Sequence, residues 1–409
     1  ITCNFINFTN LMLFQFKSKP EDFIVKEELG FTPSGKGDIF FVNFQKTEKN
    51  TMDIIEHLCY ELKLKRNDLG IAGLKDKNGI TEQRISIYKK ILNQIGGEEK
   101  FLEVLGQKTI ILDTTWHHEP LAIGKNAGNY FKIKLQAKSV ISPEIKEKIE
   151  NNIKKIQQNG FPNCFGKQRF GKGYRNFFRA KEVFESNSTN NPSKLNKKNP
   201  QSEFEIRFKL QAYASMYFNE YTMNRRKRGQ IFLGGDIMVD NNSAFGTRVG
   251  IYGEGKVMLF NYAKCKKEFE GQNLIQPYYI SGETIDLKNN KERIPTGPML
   301  GFNMLTPPLE SKSYIKDSEL LKNTGYENLG MNVAKKYKIY GFRRPLRTIP
   351  KNLKYSREEN KKDKFKKDLI LSFSLPTGSY ATIFLGTIFD GIDEKTIIEN
   401  GLEIPLITQ

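Results

Sequence analysis

Between Asn50 and Ile87 the chain changes its hydrophobic period, and that change constrains the fold more than any other feature. Ile54, Leu58 and Leu62 recur at four-residue intervals, the spacing of one helix face, with Asn50 as cap and Gly70 as stop. Ile85 and Ile87 then alternate with polar neighbours as a half-buried strand does, and Asn78-Gly79 before them supplies a hairpin-type turn. Lys75 and Asp76 fall in the loop between these elements. The pattern repeats further on. Phe131, Ile133 and Leu135 alternate with Lys132 and Lys134 as a strand, and residues 142–158 read as a charged amphipathic helix ending at Gly160. Mixed periods of this kind predict an α+β fold.

At 409 residues the chain exceeds most single cores, so two domains are expected. Residues 209–228 form a helical stripe of Tyr213, Met216, Tyr217 and Tyr221 ending on Arg225-Arg226-Lys227-Arg228. Those cations suit a helix C-terminus, or they contact phosphates. Gly-rich, strand-like segments continue to about residue 305, whereas residues 187–202 are too polar to build a core and read as an exposed loop or disordered insert. Residues 335–367 interleave Tyr337, Tyr340, Phe342, Tyr355 and Phe365 with Lys and Arg. That mixture suits RNA, or else a solvated linker.

Lys and Arg number 65 against 46 Asp and Glu, a net charge of +19, which favours polyanionic partners through long-range fields and counterion release. Cys3, Cys59, Cys164 and Cys265 form no C-x-x-C pair, and only His57, His117 and His118 join them. That set is too sparse for a zinc site or a disulfide framework and points to the cytoplasm. Polar residues interrupt the first sixteen residues, which read as no signal peptide, and no apolar run reaches bilayer length.

The string AGLKDKNGITEQ, residues 72–83, sets Asp76 between two lysines in a Gly-flanked turn, where cations favour the charged carboxylate. This string resembles the signature around the catalytic aspartate of the TruD family of pseudouridine synthases. Five further segments agree in order: KSKPEDFIVKEELGF at 17–31, GNYF at 128–131, FPNCFGKQRFG at 161–171, RRPLR at 343–347 and FSLPTGSYAT at 373–382. Four positions depart from the family pattern: Gly79 replaces a common Ala, Cys164 the usual Tyr, and Gly386-Thr387 an Arg-Glu pair.

The resemblance implies a pseudouridine synthase catalytic domain with a mixed, largely antiparallel sheet, made from residues 1–158 and 341–409. An α/β TRUD domain, residues 159–340, is inserted between them. It further implies isomerisation of uridine, usually uridine-13 of tRNA, by a monomer without metal or small-molecule cofactor. Asp76 is then the nucleophile. Phe131 would stack on the flipped base and Asn129, on the same strand face, would hydrogen-bond the nucleotide. Phe23 and Tyr380 would line the uridine pocket, and Lys17 would sit beside the carboxylate. Gln168, Arg169 and Phe170 are expected to organise the domain junction rather than perform chemistry, and the His117-His118 pair to be structural. The rival readings are a non-catalytic RNA-binding or chaperone protein of the same fold, and an RNA methyltransferase, for which no Gly-rich nucleotide loop is found.

Overall fold

The computed structural model describes residues 13–188, 203–240, 249–260, 262–268, 274–275, 277, 280–287, 293–324 and 331–390. Cys3 and most of the first sixteen residues, like nearly all of the polar stretch 187–202, lie outside the described residues.

The larger sheet has nine strands. Seven come from the first third of the chain: β1 (Phe14–Phe16), β2 (Phe23–Leu29), β3 (Ile39–Thr47), β4 (Leu69–Ile71), β5 (Ile80–Tyr88), β6 (Ile110–His117) and β7 (Asn126–Ala137). The other two form a hairpin, Lys351–Asn360 with Asp363–Pro376, whose second strand docks on β7. From that hairpin the order runs β7, β2, β5, β3, β6, with β1 also on β7 and β4 on β5. Every pairing is antiparallel except β2 with β5, so the sheet is mixed but largely antiparallel.

Strand register turns the alternation into rows. Phe373, Phe131, Val25, Thr81 and Lys46 stand side by side across five strands. On this face α1 (Thr51–Glu61) and, after the short α2 (Lys89–Gln94), α3 (Gly97–Gly106) pack Ile54, Leu58, Phe101 and Leu105 against Val42, Phe44 and Ile85. Further along, α4 (Pro143–Asn159) and the helix Ala381–Ile388 pack Ile149, Ile153, Ile156 and Phe384 against Phe131, Ile133 and Phe373. The loop 72–79 meets the sheet at the boundary between these two sets of helices.

A second sheet of six strands, all antiparallel, is built from chain lying between β7 and the closing hairpin. Its order is Ile280–Asp286, Lys256–Phe260, Gly250–Gly253, Ile237–Asp240, Arg293–Met299 and Phe342–Pro345. Beside it, α5 (Arg175–Ser188) and α6 (Glu203–Lys227) bury Tyr213, Met216, Tyr217 and Tyr221, and α6 is buried on nearly every side from Leu210 to Thr222.

Several sequence expectations need correction. The helix predicted from Asn50 to Gly70 stops at Glu61, because Lys63 turns left-handed (φ 54°) and sends Leu64 back into the core. Gly70 is a strand residue, and its lack of a Cβ is required there: one would come within 2.5 Å of Ser86 Oγ and the Leu121 carbonyl. Asn78-Gly79 does not close a two-residue hairpin, since all of residues 72–79 join β4 to β5. Gly79 (φ 133°) lets the chain graze β2, where a Cβ would stand 2.4 Å from the Phe23 carbonyl.

The basic tip of α6 divides. Arg225 is buried and donates two 2.7 Å hydrogen bonds to Asp236, while Arg226 pairs with Asp390 at the surface. The region 335–367 is no linker. It carries the last strand of the second sheet and most of the closing hairpin, with Tyr340, Phe342 and Phe365 exposed and Tyr337 buried.

Phe373 is fully buried between Phe131 and Phe384, at centroid distances of 5.4 and 4.0 Å. Phe373→Ala is expected to lower stability by about 3–5 kcal/mol, read from urea unfolding.

Candidate functional site

Asp76 lies on the 72–79 loop, and the loop is tied down around it. Behind it, the Lys75 ammonium reaches into the sheet and pairs with Glu27 Oε1 at 3.0 Å; both side chains are buried, at 6% and 0% exposure. Glu27 also accepts from the Arg84 backbone N–H through Oε2. The Lys75 backbone N–H donates to Thr51 Oγ1, and that hydroxyl donates to Gln83 Oε1 on β5. The Asp76 carbonyl accepts a 2.7 Å hydrogen bond from Lys46 Nζ, which also donates to the Lys49 carbonyl at 2.7 Å. Four elements thus hold two consecutive residues.

The Asp76 side chain stays partly exposed. Its Oδ2 accepts from Lys17 Nζ at 3.2 Å, and its Oδ1 from Gln168 Nε2 at 3.5 Å. Lys17 adopts a left-handed backbone (φ 55°), uncommon outside glycine, and its ammonium lies 3.7 Å from the centroid of the Phe23 ring. Phe23 in turn lies 6.3 Å from Phe131. A carboxylate, a lysine and an aromatic ring are therefore stacked in one place.

Asn129 and Phe131 adjoin this cluster, whereas Tyr380 is placed by its contact with Phe165. Asn129 stands opposite Glu27 across the strand pair and accepts at Oδ1 from Lys75 Nζ at 2.8 Å. Because an ammonium only donates, this contact fixes the amide: Oδ1 faces Lys75 and the NH2 group is left for other partners. Phe131 is largely buried and stacks on Phe373, so it belongs to the core of the sheet as well as to this neighbourhood. Tyr380 caps the helix Ala381–Ile388 and meets Phe165 edge-on at 5.9 Å. Burial pushes the Tyr380 hydroxyl up, against the pull of Arg169 and Arg344.

Gln168 has more to do than organise a junction, since its amide reaches the Asp76 carboxylate from the 3-10 turn Lys167–Arg169. Lys46 was not predicted at all, although its signal is present: Phe40, Val42, Phe44 and Lys46 share one strand face, and a lysine closing an apolar alternation demands a buried partner. Burial, resisted by Asp76, lowers the Lys46 ammonium to about 8.

His117 stacks on Phe31, packs edge-on against Phe41 and accepts from the Ser34 N–H, which is a structural role. Cys164 is buried and its thiol is pushed up to about 12, so it offers no nucleophile. Among the described residues no three His, Cys, Asp or Glu side chains gather as a metal site, and no helix is long and apolar enough to cross a membrane.

The fold and loop together define an α+β protein with two large sheets that presents a lysine-held carboxylate beside aromatic rings on the face of the larger one. The profile of one family, tRNA pseudouridine synthase D (TruD), matches residues 5–184 and 207–388. The chain belongs to that family. It is 27% identical over 373 residues to the tRNA pseudouridine synthase D of Photobacterium profundum, covering 90% of this chain and 89% of the relative. It is likewise 27% identical over 383 residues to that of Helicobacter pylori, covering 91% and 92%. A crystal structure from Methanosarcina mazei, named for the same family, superposes with a TM-score of 0.61 at 19% identity over 93% of this chain and 94% of the other, a likeness of fold.

Lys46 generates a prediction on stability. The folded chain releases this proton at about 8 and the unfolded chain near 10.5, so between those values the unfolded state binds more protons. Its contribution to unfolding free energy therefore rises with pH across that window. Lys46→Met is expected to flatten that rise, as measured by chemical denaturation at pH 7, 8, 9 and 10.

Proposed function

We propose that this protein is a tRNA pseudouridine synthase with Asp76 as its nucleophile. The observation that carries the reading is the geometry around that carboxylate: partly exposed, beside Lys17 at 3.2 Å, on a loop immobilised by Lys46 and Lys75. The family supplies the reaction class, since its curated relatives bear the name tRNA pseudouridine synthase D.

The reaction separates uracil from C1′ of its ribose, turns the base, and rejoins it through C5. It is an isomerisation, with no net change in atoms or oxidation level, so it consumes no cofactor. Asp76 acts by attack at C1′ or by removing a ribose proton on a glycal route. Both routes need an ionised carboxylate and a base out of its stack, whose unstacking costs a few kcal/mol and is offset in the pocket. Lys17 favours the ionised carboxylate, Phe23, Phe131 and Tyr380 offer apolar and stacking surface to uracil, and Asn129 offers its NH2 group as a donor to the nucleotide. Uridine-13 of tRNA is the proposed target, and a cytoplasmic monomer the proposed form. Residues 1–158 and 341–409 are proposed as the catalytic domain, with 159–340 inserted.

The test is pseudouridine mapping of tRNA incubated with purified protein alone. Wild type is expected to convert uridine, and Asp76→Asn to convert none, because the amide lacks a charged oxygen while keeping size and shape. Folding is expected to persist, because a partly exposed ion pair such as Lys17–Asp76 contributes at most about 1 kcal/mol. Turnover by Asp76→Asn near the parent rate overturns the assignment.

A further inference from the structure

We infer that Arg169 is a phosphate-binding residue, taking a phosphodiester group of the RNA close to the target nucleotide; this rests on the reading just proposed.

The first observation is a charge imbalance. Arg225, Arg293 and Arg343 are buried and each faces an aspartate: Asp236, Asp240 and Asp317. Arg169 and Arg344 differ. Arg344 donates to the Asn163 carbonyl, to Asn163 Oδ1 and to the Gly378 carbonyl, all neutral acceptors. Arg169 donates from Nε to Ser215 Oγ and from Nη2 to Gln211 Oε1, each at 3.2 Å and each neutral. Neither forms an ion pair among the described residues. Burial pulls both guanidiniums below their usual range, Arg344 to about 10, and the charge of Arg169 adds to the effect on Arg344. Two neighbouring cations drawn from water without a counter-charge favour an incoming anion.

The second observation is access and orientation. Arg344 is enclosed, with its guanidinium 4.0 Å from the Phe165 ring centroid, and serves as a fixed background charge. Arg169 is half-exposed and rests 5.7 Å from Phe165 and 5.2 Å from Phe208. Two rings beside it and neutral acceptors on two nitrogens hold the guanidinium in place, and a planar fork held this way suits phosphate oxygens.

The third observation is position. Arg169 follows Gln168, the residue whose amide reaches Asp76, in one 3-10 turn. Adjacent Cα atoms are about 3.8 Å apart, so one short piece of backbone sends Gln168 to the Asp76 carboxylate and Arg169 toward Gln211 and Ser215 of α6. Tyr380 lies close enough to Arg169 and Arg344 for their charges to act on its hydroxyl.

The experiment measures binding of unmodified tRNA to the full chain across salt, for wild type, Arg169→Gln and Arg169→Lys. Each neutralised phosphate contributes about 0.7–0.9 to the slope of log affinity against log salt. Arg169→Gln is expected to lose about that amount and to bind about 10-fold more weakly at low salt. Arg169→Lys is expected to keep the slope. A second arm needs no protein variant: tRNA carrying a neutral methylphosphonate at one phosphate flanking the target uridine is expected to reproduce the loss with wild type. The same substitution is expected to add nothing with Arg169→Gln. An unchanged slope in Arg169→Gln, or wild-type binding indifferent to the methylphosphonate at every flanking position, overturns the inference. If wild type still forms pseudouridine in that case, the enzymatic reading stands and only the phosphate site falls.

Discussion

The buried pair of Lys75 and Glu27 is the interaction on which the site depends. Removing one member of such a pair strands the other charge away from water, typically at a cost of about 3–5 kcal/mol. The pair therefore acts less as a source of stability than as a geometric constraint: the loop cannot lift from the sheet without leaving Glu27 alone. Asp76 inherits this rigidity as the next residue, and Lys46 secures its carbonyl from the other side. For the nucleophilic role proposed for Asp76 this matters, because small misplacements of a catalytic group are costly in rate.

Sheet register explains why these residues converge. Asn129 and Glu27 are cross-strand partners, and Phe131, Val25, Thr81 and Lys46 continue the neighbouring row. The aromatic and polar members of the site are thus successive rows of one sheet face. Helices cover the face on either side, and the loop takes the position left between them.

Alternation and four-residue spacing made much of this legible beforehand, including β7, α4 and the buried stripe of α6. The failures share a cause. Leu62 fits a helical stripe, yet Lys63 turns left-handed and ends the helix, and nothing in a lysine announces that conformation. Gly70 looks like a helix stop because its actual reason, contact with Ser86 and Leu121, involves residues distant in sequence. The KDK turn of the site was visible as a motif, but its partners Glu27, Lys46 and Gln168 come from three other elements. Tertiary pairing of that kind leaves little local trace. Lys46 is the exception, because its strand face carried the signal.

The larger sheet is completed by the closing hairpin, made long after its other seven strands. Asp363–Pro376 pairs with β7, and the Asp368 carboxylate accepts the Ala137 N–H across 231 positions. During synthesis, at about 5–20 residues per second, β7 therefore waits on the order of 10–50 s for this partner. Through that interval one edge of an apolar strand stands without its final neighbour, an invitation to pair with another chain. Lys132 and Lys134 lie along that strand on the face away from the core, where their charge discourages such pairing until the hairpin arrives. The topology makes early folding of the first third of the chain a provisional state, with closure of the sheet deferred until the hairpin has been made.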